Sequence, residues 1–133
     1  MFNSKKIISF TEIKLRISGM QVGEVYEVIC RDGKAEISSY WLSYENGTEQ
    51  YNLNKRAAAP ESDVVDILNK FKILKWDGFY GKNPPYLLDG TMFDFTALVN
   101  GGRKISASGS NNFPKHYRDF IEALNALLTK NKV

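Results

Sequence analysis

Residues 89–114 constrain the fold of this chain most, because they predict two strands, the turn between them and the start of a helix. Asn100-Gly101-Gly102 is typical of a tight hairpin turn, since Asn and Gly adopt positive φ angles at little cost. On both sides of this turn every second residue is apolar, which is the pattern of a strand with one buried face. These apolar residues are Phe93, Phe95, Ala97, Val99, Ile105 and Ala107. We therefore predict a β-hairpin, with Gly109 at a tight bend where its second strand ends.

A C-terminal helix is predicted to follow the hairpin. Pro114 is favoured in a first helical turn, because its φ is fixed and it has no amide to satisfy. Asn111 and Asn112 are the candidates for the cap of this helix. The apolar residues that follow recur at helical spacing and form one continuous stripe. This stripe contains Phe113, Tyr117, Phe120, Ile121, Leu124, Leu127 and Leu128.

The first half of the chain predicts about four antiparallel strands. Apolar and basic residues alternate over residues 13–17, which indicates a half-buried strand. Asp32-Gly33 and Asn46-Gly47 are the dipeptides of two-residue hairpin turns. The three strands after the first are expected over residues 22–31, 34–44 and 48–53, and residues 57–60 are expected to end this part of the sheet.

A second helix is predicted in the middle of the chain. Ser62 is its candidate cap, and Val64, Leu68 and further apolar residues lie at helical spacing on one face. We expect this helix to stop near Lys75 and an irregular loop to cover residues 79–88, which contain Gly81 and two prolines.

These elements predict a single α+β domain over residues 1–133: an antiparallel β-meander, a helix, a β-hairpin and a C-terminal amphipathic helix packed on the sheet. The composition, 43% hydrophobic and 25% charged, is that of a globular protein. A net charge of +3 is too small to indicate nucleic acid as a partner. The sequence has no apolar run long enough for a membrane span. No signal peptide is visible, so we expect a cytoplasmic location.

A sequence pattern in the second half of the chain resembles that of a known group of domains. It consists of Trp76-Asp77-Gly78, Asp89-Gly90, Ser108-Gly109-Ser110-Asn111 and Phe113-Pro114 ahead of Tyr117. This W-DG … DG … SG-N-(Y/F)P order is similar to that of small bacterial α+β domains of Gram-positive type, some of which follow a lipoprotein signal. The resemblance implies a fold and no activity.

The same pattern contains the candidate ligand-binding residues: Trp76, Asp77, Asp89, Ser108, Ser110, Asn111 and Asn112. The free amides of a helix N-terminus attract anions, so the turn over residues 108–112 is a candidate anion site. Two aspartates beside a tryptophan are candidates for acid–base chemistry or cation binding. In both places the simpler interpretation, which we prefer, is structural, because Asn caps helices and Asp-Gly forms turns.

Two further features have weaker functional interpretations. Lys14 and Arg16 could join Tyr40, Trp41 and Tyr44 in a basic aromatic surface suited to single-stranded nucleic acid, although a solvated sheet face is the expected alternative. The single histidine, His116, and the single cysteine, Cys30, form no recognisable nucleophile–base motif.

The sequence therefore favours a non-catalytic binding or protein-interaction module, with a protein as its partner. The alternative is a small-ligand or anion-binding protein, or an enzyme, that uses the candidate residues above. A third idea, an immunity-type partner of a toxin, is compatible with the small size. Nothing in the sequence indicates a cofactor, a metal or an oligomeric state.

Overall fold

A computed structural model describes residues 6–19, 23–81 and 91–130. They form one mixed seven-stranded sheet with the helices on one face, which confirms the α+β class. The strands are β1 Phe10–Ser18, β2 Gly23–Arg31, β3 Lys34–Glu45, β4 Thr48–Pro60, β5 Tyr80–Gly81, β6 Met92–Val99 and β7 Arg103–Ser110. The helices are α1 Glu61–Lys70, a 3₁₀ helix Ile73–Trp76 and α2 Tyr117–Lys130. No helix in these ranges is long and apolar enough to cross a bilayer.

The three predicted hairpin turns are confirmed. Asp32 and Gly33 have φ angles of 53° and 76°, and Asn46 and Gly47 have 53° and 78°. Positive φ at both central residues is the requirement of the type I′ turn, whose twist matches that of the flanking strands. The turn at residues 100–102 likewise has positive φ at all three positions.

The meander and the C-terminal hairpin belong to the same sheet, in the order β4-β3-β2-β1-β6-β7-β5. β1 joins them, because it pairs antiparallel with both β2 and β6, and Leu15 lies between Tyr26 and Phe95. β5 adds a short parallel pair at the edge, beside β7. The predicted loop over residues 79–88 thus begins with a strand; residues 82–90 lie outside the described part.

β4 extends further than predicted and continues to Pro60. Ser39 pairs with Lys55 but Tyr40 pairs with Leu53, so Asn54 is the extra residue of a β-bulge. The bulge resets the alternation, and Ala57 and Ala59 then fill the buried face. The sheet segment does end at residues 57–60, as expected, but the expectation that the fourth strand stops at residue 53 was wrong. Alanine is a poor strand former, and it is retained in the strand here by tight packing against the helices.

The helix predicted from Ser62 to Lys75 is two helices. Pro60 occupies the cap position of α1 without a side-chain hydrogen bond, so Ser62 lies inside the helix and does not cap it. α1 ends at Lys70 because Lys72 adopts the left-handed conformation, with φ 55° and ψ 49°. The chain then makes the 3₁₀ helix that carries Trp76.

α2 begins at Tyr117, three residues after the predicted start. Pro114 lies in the preceding turn, where its carbonyl accepts a hydrogen bond from Tyr117 N at 3.2 Å. Gly109 was wrongly placed at a bend: it lies within β7. Glycine is needed there because an added Cβ would lie 2.2 Å from the carbonyl oxygen of Asn112.

The main core lies between the helices and one face of the sheet. The predicted apolar stripe of α2 is confirmed, with Phe120, Leu124 and Leu128 fully buried. The indole of Trp76 makes edge contacts with Phe95 and Phe120, at centroid distances of 5.0 and 5.4 Å. Such aromatic packing fixes the 3₁₀ helix against the sheet.

Candidate functional site

The predicted Trp76-Asp77-Gly78 segment holds the outer edge of β7. Trp76 is buried, and its Nε1 donates a hydrogen bond to the carbonyl of Lys115 at 3.0 Å. Asp77 Oδ1 accepts from Ser106 N at 3.0 Å, while Gly78 N donates to the Ser106 carbonyl at 2.9 Å. These contacts satisfy edge backbone groups of β7, so the segment has a structural role.

The predicted turn over residues 108–112 braces three strands. Asn111, at φ 54°, exchanges two hydrogen bonds with Thr91: its amide donates to the Thr91 carbonyl at 2.8 Å, and its Oδ1 accepts from Thr91 N at 3.0 Å. The backbone and Cβ of Asn112 lie against Gly109 and Gly81. Asn111 therefore stabilises the start of β6. Its Oδ1 binds Thr91 N and does not cap α2, which begins at Tyr117.

The structure brings only part of the predicted site together. Asp77 and Ser108 both lie along β7, but Trp76 points into the core and Ser110 pairs with Met92 at the end of the strand. Asp89 lies outside the described residues. The ligand-binding role of this group stays a prediction.

A different surface is formed by the face of the sheet opposite the helices, which we call the open face. Residues paired in register share a face, so the pairings define a row that crosses all seven strands. From β5 to β4 this row contains Tyr80, Ser108, Asp94, Arg16, Val25, Tyr40 and Leu53.

The β3–β4 hairpin curls over the open face. Arg16 on β1 forms an ion pair with Glu49 on β4, and Tyr44 Oη donates to Glu49 Oε2 at 3.1 Å. The Lys14 ammonium lies 5.4 Å from the centre of the Tyr51 ring. Val25 is completely buried although it faces away from the helices. The curl therefore creates a second, small apolar cluster on this side of the sheet.

The charges of the Arg16–Glu49 pair stabilise one another. The hydrogen bond from Arg16 lowers the pKa of the Glu49 carboxyl, and the same bond raises the pKa of the guanidinium. The predicted basic aromatic surface is thus assembled from Lys14, Arg16, Tyr40 and Tyr44. Its arginine, however, already has a carboxylate partner, which weakens the case for phosphate binding there. Trp41 lies on the other face, opposite Glu24.

Beyond the curled hairpin, the middle of the open face of β6 and β7 is polar, and the exposed Met92 and Leu98 lie towards the two ends of β6. Asp94, Thr96, Ser106 and Ser108 line a shallow cleft whose border is formed by Gly78 and Phe79. Asp94 is exposed and makes no ion pair with any other residue in the described ranges. The ring of Tyr80 is 69% exposed at the edge of the same row. Sequence reasoning missed this cleft because it depends on the long-range parallel contact of residues 78–81 with β7.

A half-buried polar cluster lies under α2. Asn125 Nδ2 donates to Tyr26 Oη at 3.1 Å, and Tyr26 Oη lies 3.4 Å from Glu24 Oε2. Burial raises the pKa of Glu24 and that of Tyr26. Burial also raises the pKa of Tyr117, whose hydroxyl is buried and has no hydrogen-bond partner in the part of the chain that the structure describes.

The single histidine and the single cysteine lie in different parts of the molecule. His116 Nδ1 lies 3.1 Å from Asp119 Oδ2 on the surface of α2's first turn. Burial, followed by nearby Glu61, raises the pKa of the Cys30 thiol. Within residues 6–19, 23–81 and 91–130, no three His, Cys, Asp or Glu side chains are grouped so that they could hold a metal ion.

Comparison of the chain with protein-family models, with curated proteins and with solved structures gave no match.

Proposed function

We propose that this chain is a non-catalytic interaction module that binds a protein partner on the open face of its sheet. The observation that carries the proposal is the cross-strand row of the open face, in which an exposed Tyr80 and an exposed Leu53 flank Asp94 and Arg16. Tyrosine and arginine are enriched at the energetically important positions of protein interfaces.

The geometry of the hairpin supports this proposal. Its curl gives the open face a raised wall beside a polar floor, and the Arg16–Glu49 pair holds that wall in place. A surface held in one shape before binding loses less conformational entropy when the partner docks. Asp94, which forms no ion pair with another described residue, would select a basic group on the partner.

The test uses a photoreactive amino acid at Thr96, on the floor of the open face, and at Ala126, on the exposed side of α2, as a matched control. We expect irradiation in the native cells to give one discrete adduct from position 96 and none from position 126. Excess unlabelled parent protein should suppress the adduct, whereas excess Tyr80→Ala/Asp94→Asn protein should not. Adducts of equal yield from both positions, or equal suppression by both competitors, would overturn the proposal.

The alternative function remains a small-ligand or anion-binding protein, or an enzyme, that uses residues 76, 77, 89 and 108–112. It has less support, because the side chains of Trp76, Asp77 and Asn111 already bind backbone groups of neighbouring segments. An Asn112→Ala variant that folds normally but no longer responds to phosphate, where the parent does, would favour this alternative.

A further inference from the structure

A basic cavity lies on the helix side of the molecule, away from the open face. It has a volume of about 230 Å³ and lies between the end of α1, the 3₁₀ helix and the segment that precedes β1. Three lysines line it, Lys6, Lys72 and Lys75, and its apolar part is formed by Leu68, Ile73 and Leu74. We propose that this cavity binds the phosphate or carboxylate group of a small molecule that also has an apolar portion.

The position of Lys6 in this cavity is held by specific hydrogen bonds. Asn69 Oδ1 accepts from Ile7 N at 2.7 Å, and Asn69 Nδ2 donates to the Ile7 carbonyl at 2.8 Å. From the other side, Asn100 Nδ2 donates to the carbonyl of Lys6 at 3.2 Å. Two asparagines from distant parts of the chain therefore fix the backbone that carries the first lysine, so its approach to the other two is built into the fold.

The conformation of Lys72 gives a second reason to assign the cavity a role. Its φ of 55° and ψ of 49° are values that glycine or asparagine adopts at much lower cost after a helix. A lysine at this position destabilises the local backbone and is not needed to complement the dipole of α1, since Lys70 already lies in the last turn of that helix. Glycine at position 72 would relieve the backbone but would remove the lysine side chain from the cavity.

The charges around the cavity are unbalanced. None of the three lysines forms an ion pair within the part of the chain that the structure describes, where the ion pairs are Arg16–Glu49, Arg56–Glu36 and His116–Asp119. Ammonium groups around one cavity repel each other, and an oxyanion between them relieves that repulsion through charge-assisted hydrogen bonds. The volume corresponds to about eight water molecules at about 30 Å³ each, which suits a small ligand.

The test is an NMR titration of the intact chain with inorganic phosphate, and separately with phenyl phosphate, at constant ionic strength maintained with chloride. We expect saturable shifts confined to the amides of residues 6–8 and 68–75, with tighter binding of phenyl phosphate. Lys72→Asn, which suits the left-handed backbone, and Lys75→Gln should each weaken binding about ten-fold. Lys70→Gln, which removes the same charge just outside the cavity, should bind like the parent.

Several results would overturn this inference. Shifts that do not saturate, that map to other residues, or that Lys70→Gln reduces as much as Lys72→Asn would show only general charge screening. Equal affinities for phosphate and phenyl phosphate would remove the apolar portion from the proposed ligand. Binding to phosphatidylglycerol vesicles that Lys72→Asn abolishes, without any response to the soluble phosphates, would assign the anion to a membrane surface and not to a small molecule.

Discussion

Arg16 on β1 and Glu49 on β4 form an ion pair although β2 and β3 lie between their strands. In a flat sheet their Cα atoms would be about 14 Å apart across the strands and about 13 Å along them, which is about 19 Å in total and beyond the reach of both side chains. The contact therefore requires the β3–β4 hairpin to bend towards β1. This bend is the feature that separates the open face into a raised wall and a polar floor.

Glu49→Gln is expected to loosen the hairpin while leaving the sheet intact. The amide cannot attract the guanidinium as the carboxylate does, so the clamp to Arg16 weakens. Hydrogen exchange of the amides in residues 40–53 should become faster than in the parent, and that of β6 and β7 should not change. Glu36→Gln, which disrupts the wider and more exposed pair with Arg56, is the control and should leave residues 40–53 unaffected.

The same clamp is expected to respond to acid. The folded-state pKa of Glu49 is lowered from its ordinary value of 4.5, so the clamp contributes fully above that value and is lost as pH falls through the lowered pKa. Hydrogen exchange or tyrosine fluorescence, followed from pH 7 downward, should report loosening of residues 40–53 only below about pH 4.5. A transition of the same size in the Glu49→Gln protein would contradict this assignment.

Phe120→Ala should lower the free energy of unfolding by about 3–5 kcal/mol, because its ring is completely buried between α2 and the sheet. Urea denaturation measures the change. Phe113→Ala is the matched comparison, since the Phe113 ring is 36% exposed, and its loss should be clearly smaller. A change below about 1 kcal/mol for Phe120→Ala would mean that α2 does not supply the core.

Gly109→Ala and Gly101→Val are expected to destabilise the protein for different reasons. A Cβ at Gly109 would overlap the Asn112 carbonyl and Cε1 of Phe93, so we expect a loss of at least about 2 kcal/mol. Gly101 has open space around it but a φ of 79°, so its substitution strains only the backbone, at a cost of about 1–2 kcal/mol. Chemical shifts should therefore move at β5 and Asn112 in the first variant alone.

Local features of this fold were predictable from the sequence because they depend on neighbouring residues. The turn at Asp32-Gly33 needs two residues that accept positive φ, and the stripe containing Phe120 needs only helical periodicity. The split between α1 and the 3₁₀ helix was not predictable in this way. Lys72 has no intrinsic preference for the left-handed conformation, so nothing in the local pattern indicates the break.

The open face and the basic cavity depend instead on contacts between distant segments. The pairing of Arg16 with Asp94 follows from the register between β1 and β6. Lys6 lines the same cavity as Lys72 because Asn69 bonds the segment before β1. A shift of one residue in the register would turn each side chain to the opposite face. The sequence pattern gives the faces of each strand, but it does not give the neighbour of each strand.

The hydroxyl groups of Tyr117, at the start of α2, and of Tyr26, beneath α2, give a final prediction, because only that of Tyr26 has a hydrogen-bond partner among the described residues. Tyr117 Oη is buried without a partner in residues 6–19, 23–81 and 91–130, whereas Tyr26 Oη accepts a hydrogen bond from Asn125 Nδ2. A buried hydroxyl without a hydrogen bond destabilises the folded state, because it loses its bonds to water on folding. Tyr117→Phe removes this hydroxyl and should raise the free energy of unfolding by about 1 kcal/mol. The ring contacts of Tyr117 with Phe113 and Phe93 are retained in this variant.

Tyr26→Phe should instead lower the free energy of unfolding by about 1 kcal/mol, since it leaves Asn125 without that acceptor. Urea denaturation of both variants compares them directly, and a Tyr117→Phe protein that is less stable than the parent would show that its hydroxyl has a partner in solution.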